Sequence, residues 1–485
     1  MNRSTISLAA GAAALVALTG AASLTGGSSS DAAPATAAAQ LPVQRSTLLC
    51  PEPSPSEFAQ TTYTSFTPQG TGSGTGSATL VPATAKPKPL KPLTATGKPA
   101  TSTNNKAGAP ALIGNAEGAL APGWTVQQTT TVTDGPGRGL LGLSCVAPDT
   151  DFWFPGASTK DDRQDYVDLV NPDETPAVVD IELYGPNGAL KTATADGITV
   201  PGDSSKPVLL STLVAEKETD LTVHVVARSG RVGAAVQATD TTKGTDWLAP
   251  AAEPATSLVL PGIPKDATDV RLVAYAAGSD DADLTLKLAT STGSIVPAGH
   301  ETLHVKSGMT VGVDLGDVTK DDAGSLLIGS STVHQAVPVV AALVVTRGKG
   351  SDQEIAFLPA TPAIGKRGTV ADNRAKGSTL SLTAVGQDAS VRITSSAGST
   401  GGSAATKTVT VKAGTTTALT PPQPSGLKGG YAVTVERLSG GQLYASRTLA
   451  LPQNGVPMFT IQPIPDDRST VAVPKAHTDL RILEP

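Results

Sequence analysis

A pattern of short alternating runs that recurs roughly every 100 residues is the strongest constraint in this sequence. One copy opens at Phe152-Trp153-Phe154-Pro155-Gly156, the next at Leu258-Val259-Leu260-Pro261-Gly262, and a third at Phe357-Leu358-Pro359. Each continues with an alternating strand and a turn, over 175–188, 281–293 and 388–398. In the first of these, Val179, Ile181 and Leu183 share one face and Asp180, Glu182 and Tyr184 the other, the two-residue period of a strand. Pro186-Asn187-Gly188 then supplies the positive φ that a tight turn needs. Each copy ends in what reads as a two-strand hairpin, residues 221–239 in the first. Turn signals every 8 to 12 residues or so indicate all-β structure. The expected fold is a set of tandem immunoglobulin-like antiparallel β-sandwiches over 151–248, 249–350 and 351–452, with a disordered N-terminal region and a tail over 453–485.

Composition removes other classes. The 50 Gly among 485 residues keep no period of three, which excludes a collagen, and a net charge of −6 lacks the basic balance of a nucleic-acid binder. Residues 1–25 place Arg3 ahead of an apolar run from Ile6 to Leu18 that continues weakly to Leu24, the pattern of a signal peptide or an uncleaved N-terminal anchor. Residues 26–45 read as a disordered spacer and 46–150 as an N-terminal segment holding a disulfide and a long Pro/Thr/Lys loop. The loop, 68–123, carries Lys86, Lys88, Lys91, Lys98 and Lys106; its alternative reading is a basic strip for an anionic wall polymer. Cys50 and Cys145, an even pair in an exported chain, are expected to form one disulfide. A lipoprotein role for Cys50 fails, because Leu49 stands where a small residue is required.

Cys145 with the following DFWFPGAST, YVDLVNPDETPAVVDIELYGPNG and VHVVARSGRVGAAV resembles an actinobacterial family of secreted proteins catalogued only as a domain of unknown function. The resemblance spans nearly all the chain after residue 25 and is most specific over 145–240. It implies export and a shared plan, and it brings no activity or catalytic residue with it.

Several motifs suggest chemistry. His300-Glu301-Thr302-Leu303-His304 fits the zinc-protease pattern, which needs both imidazoles one helical turn apart. Its equivalents in the other copies are strands, where residues four apart lie roughly 13 Å apart, too far to share an ion. Gly202-Asp203-Ser204 echoes a serine-protease loop, with His224 the nearest histidine, but reads as a turn. Ser425-Gly426-Leu427-Lys428 matches S-x-x-K without its partner motifs, and Leu358-Pro359-Ala360-Thr361-Pro362 approximates a sorting signal without the tail. Asp161, Asp162, Asp165 and Asp168, and Asp280, Asp281 and Asp283, offer oxygen ligands at no defined calcium spacing. Phe152, Trp153 and Phe154 form a candidate sugar-stacking platform, although alternation turns part of the run into a core. Tyr166, Trp124 and Trp247 are too scattered to define a site.

The resulting expectation is an extracellular or cell-surface, non-enzymatic protein serving as a structural, adhesion or interaction module. The alternative is a cell-wall polymer or carbohydrate binder; a zinc metallohydrolase through His300, Glu301 and His304 ranks below both. Its expected partners are a wall polymer or another surface protein, not nucleic acid, and a membrane only through residues 1–25 if they stay uncleaved. No cofactor is expected.

Overall fold

The computed structural model describes residues 39–474 apart from 71, 73 and 332–335, and among these there is no α-helix. The expected signal or anchor (1–25) and most of the expected spacer lie outside the described residues. Two compact units are present. In the smaller, Ala39–Pro42 and Thr470–Val473 form a two-stranded sheet, so the end of the expected spacer is strand. The larger, Pro42–Ser469, holds everything below.

The larger unit contains four copies of one seven-stranded plan, with two antiparallel sheets in each of the first three and one merged six-stranded sheet in the fourth. In the second copy the strands are Asp151–Ala157, Arg163–Asn171, Ala177–Gly185, Ser204–Leu209, Leu221–Ser229, Gly233–Asp240 and Gly244–Leu248. The first, fifth and third strands make one sheet, and the fourth, second, sixth and seventh make the other. The third copy, Ser257–Ile263 to Glu354–Pro359, repeats that order. In the fourth, Arg367–Asn373 to Phe459–Pro463, the second and third strands run together as Ser378–Ser395, and the fifth and sixth as Tyr431–Ala450; the pairing is otherwise the same. The all-β, paired-sheet expectation is met, but the strand order is not the immunoglobulin one, in which the second strand pairs with the fifth and the third with the sixth. The expected closing hairpin is also replaced. Leu221–Ser229 and Gly233–Asp240 pass from one sheet to the other, because the sixth strand is buried along most of its length and takes the central place beside the second.

The first copy corrects the sequence reading. Residues 68–123, expected to be a long loop, contain Gly76–Pro82, Ala100–Asn104 and Leu112–Gly118, and the copy runs from Arg45–Cys50 to Gly139–Ser144 in the same strand order. Its core is dispersed among Gly, Thr and Pro: Leu80, Leu112, Ala116, Trp124 and Val126 pack around Cys50 and Cys145. The expected lysines sit exposed in the turns between these strands. Two boundaries also move. Glu354–Pro359 pairs with Val339–Arg347 and so closes the third copy, and Phe459–Pro463, expected in the tail, closes the fourth.

The four copies close into a ring. The first strand of each packs on the sixth strand of the next, and the fourth copy's Arg367–Asn373 returns to Thr125–Val132 of the first. The seventh strands, Gly139–Ser144, Gly244–Leu248, Glu354–Pro359 and Phe459–Pro463, meet around the centre. Three four-stranded sheets and the matching strands of the fourth copy's six-stranded sheet thus radiate from an axis in the manner of propeller blades. Inner strands are buried on both faces, which is why Glu354–Pro359 reads as an unbroken apolar run after its first residue while Ala177–Gly185 alternates. In Glu354–Pro359, Ile355 and Phe357 join the second copy's core, and Ala356 and Leu358 the third's.

Candidate functional site: the cleft where the four connectors meet

Each seventh strand runs into a short proline-bearing connector: Val146-Ala147-Pro148, Ala249-Pro250, Ala360-Thr361-Pro362 and Ile464-Pro465. Proline cannot continue a ladder, so the chain leaves the ring at the same level each time. The connectors surround a cleft of about 380 Å³. Trp124, Phe152, Trp247 and Ile461 supply its apolar wall, and Asp149, Asp151, Glu253, Asp466 and Asp467 its charge, with Arg468 as the cation among the lining residues. The Cys50–Cys145 disulfide forms as expected and joins the end of the first copy's first strand to the connector after its seventh, where Cys145 lines the cleft. Leu49 and Val146 exchange two backbone hydrogen bonds beside it, at 2.8 and 3.0 Å.

The acids are held individually. Asp467 accepts from Arg367 Nε at 2.5 Å, and Asp466 accepts the backbone N–H groups of Lys366 and Arg468, each at 2.9 Å. Asp149 caps the N–H of Thr150 at 2.8 Å. One oxygen of Asp151 lies 3.0 Å from His224 Nε2, and its other oxygen has no partner. Glu253 makes no hydrogen bond or ion pair among the described residues; partial burial, then the charges of Asp151 and Asp149, push its carboxyl above the usual range.

Polar groups continue into the ring. Asp246 accepts the backbone N–H groups of Gly142 and Trp247 at 2.9 and 2.8 Å, and full burial raises its carboxyl well above the ordinary value. Glu354 accepts the N–H of Leu140 at 2.9 Å, and burial pushes it up to about 8. These carboxyls satisfy N–H groups on the outer edge of Gly139–Ser144, groups that no neighbouring strand pairs. Gln462 and Trp247, each only 2 % exposed, line the cleft, and neither the Gln462 amide nor the indole N–H has a partner.

The aromatic platform is not open to solvent. Phe152 and Phe154 enter the second copy's core, while Trp153 points the other way, stacked on His224 at 3.7 Å between ring centroids and facing Tyr275 of the third copy at 5.5 Å. His224 is bracketed by Glu182 at 2.9 Å and Asp151 at 3.0 Å, far in role from Ser204, whose hydroxyl donates to Pro201 in a turn. His300 lies in a turn and His304 in the strand Thr302–Val305, flanked by Asp283 at 2.8 Å and Asp281 at 3.4 Å, so the helix that the zinc motif requires is replaced by strand. The first acidic group disperses: Asp165 chelates Arg163 and accepts from Ser158, Asp161 and Asp162 pair with lysines, and burial raises Asp168. Among the described residues no group of three His, Cys, Asp or Glu is placed to hold a metal ion. Ser425–Lys428 is a strand against Gly401–Ser403.

Two of the three aromatics that seemed scattered, Trp124 and Trp247, come together in the cleft. The signal that marks the site is the proline just past each seventh strand, visible only once four copies are aligned. A model for a family of unknown function, DUF5719, matches residues 100–422, well over half of the chain. The chain belongs to this family. The DUF5719 match begins at the first copy's fourth strand and ends after the fourth copy's equivalent strand, so it takes in three of the four connectors. No curated protein matches the sequence.

Proposed function

We propose that this chain is an exported, non-enzymatic interaction module that presents the connector cleft to a partner outside the cell. The observation that carries the reading is the ring closure: four copies strung end to end would serve as a spacer, whereas four closed around an axis build one concave site from all of them. The Cys50–Cys145 bridge is consistent with an extracellular setting, and no helix among the described residues is long and apolar enough to cross a membrane. The N-terminal sequence supports export.

The test is site-specific crosslinking on intact cells. A photoreactive residue at Arg468, on the cleft, is compared with one at Lys287, on an outer strand of the third copy. A partner captured only from the cleft position supports the module; equal capture from both, or none from either, overturns it. Wall-polymer binding is the second reading, favoured by the exposed Lys86, Lys88 and Lys91 in one inter-strand loop. Retention on purified wall material that is lost when all three are neutralised would support it.

A further inference from the structure

We propose that His224 is a proton-sensing latch that, when charged, ties Asp151 in the cleft wall to the seam between the second and third copies. The latch goes beyond the docking reading and does not rest on it.

The strand register sets the parts side by side. His224 lies on the fifth strand of the second copy, with Glu182 directly opposite on the third strand and Trp153 directly opposite on the first. Cross-strand partners share a face, so the three side chains meet on the side turned to the third copy, where Tyr275 faces Trp153 at 5.5 Å between ring centroids. Asp151, two residues before Trp153, shares that face and also lines the cleft.

The hydrogen bonds assign the proton. His224 Nδ1 lies 2.9 Å from Glu182 Oε2, and Nε2 lies 3.0 Å from Asp151 Oδ2. A neutral imidazole has one N–H to donate, and its other nitrogen would turn a lone pair on a carboxylate; an imidazolium donates to both. Glu182 Oε2 also accepts the Tyr184 hydroxyl at 2.8 Å, the role of an ionised carboxylate. The Trp153 ring lies parallel to the imidazole, 3.7 Å between centroids and 9° between planes, and an indole face attracts a cation.

The other titratable groups facing His224 are Tyr184 on the third strand, Tyr275 on the third copy and Glu253 on the connector between the two copies. Burial pushes both tyrosines up, so they stay neutral where a histidine titrates, and Glu253 adds a further acid. Arg228, further along the fifth strand, is taken up by Asp180. Loss of the His224 proton breaks one of its two carboxylate bonds and removes the cation from the Trp153 face. The seam itself survives, because Arg271 of the third copy holds both oxygens of Asp220 of the second, and Thr310 donates to the Tyr184 carbonyl at 2.7 Å. Asp151 and Trp153 are thus coupled through one imidazole. By reciprocity, a charge that reaches Asp151 from the cleft shifts the protonation of His224, and pH shifts what the cleft presents.

The test follows the near-ultraviolet circular dichroism band of the stacked Trp153 in the oxidised full chain between about pH 5 and 8, where histidines titrate. The His224 imidazole resonance, assigned by its loss in His224→Gln, is followed alongside. We expect both signals to titrate with one midpoint. His224→Gln keeps a donor and cannot ionise, so the band should stop responding to pH. Asp151→Asn and Glu182→Gln each remove one facing charge and should lower the midpoint by about one pH unit. Glu354→Gln, which removes a buried carboxyl elsewhere in the ring, should leave it in place. A band that does not titrate, a band that still titrates in His224→Gln, or a midpoint unmoved in both Asp151→Asn and Glu182→Gln would overturn the latch. No ligand enters this experiment, so the latch and the docking reading fail separately. Titration with no partner captured from Arg468 leaves the latch standing; capture without titration removes the latch and leaves the docking reading.

Discussion

The Glu354 carboxyl and the backbone N–H of Leu140, 214 positions apart, meet at 2.9 Å in the middle of the ring. Gly139 and Gly244 flank the contact, where a side chain at either would collide with Glu354 itself. Arg138 donates to the carbonyls of Ser351 and Gln353 alongside, tying the first copy to the third.

That contact sets a pH dependence. Folded Glu354 holds its proton up to about 8, whereas the unfolded residue loses it near the ordinary value of 4.5. Between those values the native state binds more protons than the unfolded chain, so this residue makes stability fall as pH rises from about 5 to 8. Glu354→Gln keeps the acceptor and cannot ionise, so it should flatten that part of the curve and raise the melting temperature at pH 8 relative to pH 5. Glu354→Ala should cost about 1 to 3 kcal/mol at either pH by leaving the Leu140 N–H unsatisfied. Thermal melts across the pH range distinguish the two.

Gly142 tests the ring seam. A Cβ there would overlap the Gln462 amide and Thr460 of the fourth copy, so Gly142→Ala should destabilise the chain by roughly 1 to 3 kcal/mol. Gly293→Ala, which meets nothing within 4 Å, is the control and should be close to neutral. Urea unfolding midpoints provide the comparison.

Much of this was legible in the sequence and some was not, for identifiable reasons. The copies from Phe152 onward announce themselves because their third strands alternate cleanly, as in Val179, Ile181 and Leu183, and Gly188 takes the positive φ its turn requires. The first copy hides because its buried strand positions include Thr61, Thr64, Gln127 and Gln128, residues that also make good loops. Strand order and ring closure left no local trace: an apolar face packed within a copy and one packed against the next look alike. The setting of Trp153 was hidden for the same reason, since its partner Tyr275 belongs to the next copy. The cleft was invisible because Trp124 and Trp247 reach a common lining only after closure.

Trp153 should therefore behave as an inter-copy anchor. Trp153→Ala removes the stacking on His224 and the packing on Tyr275 and Val340, and a loss of about 3 to 5 kcal/mol is expected from denaturant unfolding. Near-ultraviolet circular dichroism should lose a stacked-indole band in the same variant. A loss under about 1 kcal/mol would show that the second and third copies hold together without it.

The disulfide closes a 95-residue loop, so Cys50→Ser with Cys145→Ser should lower stability by about 2 to 5 kcal/mol. Because Cys145 lines the cleft, the same double variant should also weaken whatever occupies it. Calorimetry with and without reductant separates the stability effect from the binding effect.

The seam between Thr125–Val132 and Arg367–Asn373 joins a stretch made early on the ribosome to one made late. Until the fourth copy has emerged, the first copy's sixth strand and the third copy's first strand each lack the neighbour that covers one face, and the exposed surface invites misassembly. Contacts of such long sequence separation form slowly, so maturation of this chain should be gated by the arrival of its last 100 or so residues. A chain cut short before Phe459 would then fail as a whole and not by one quarter.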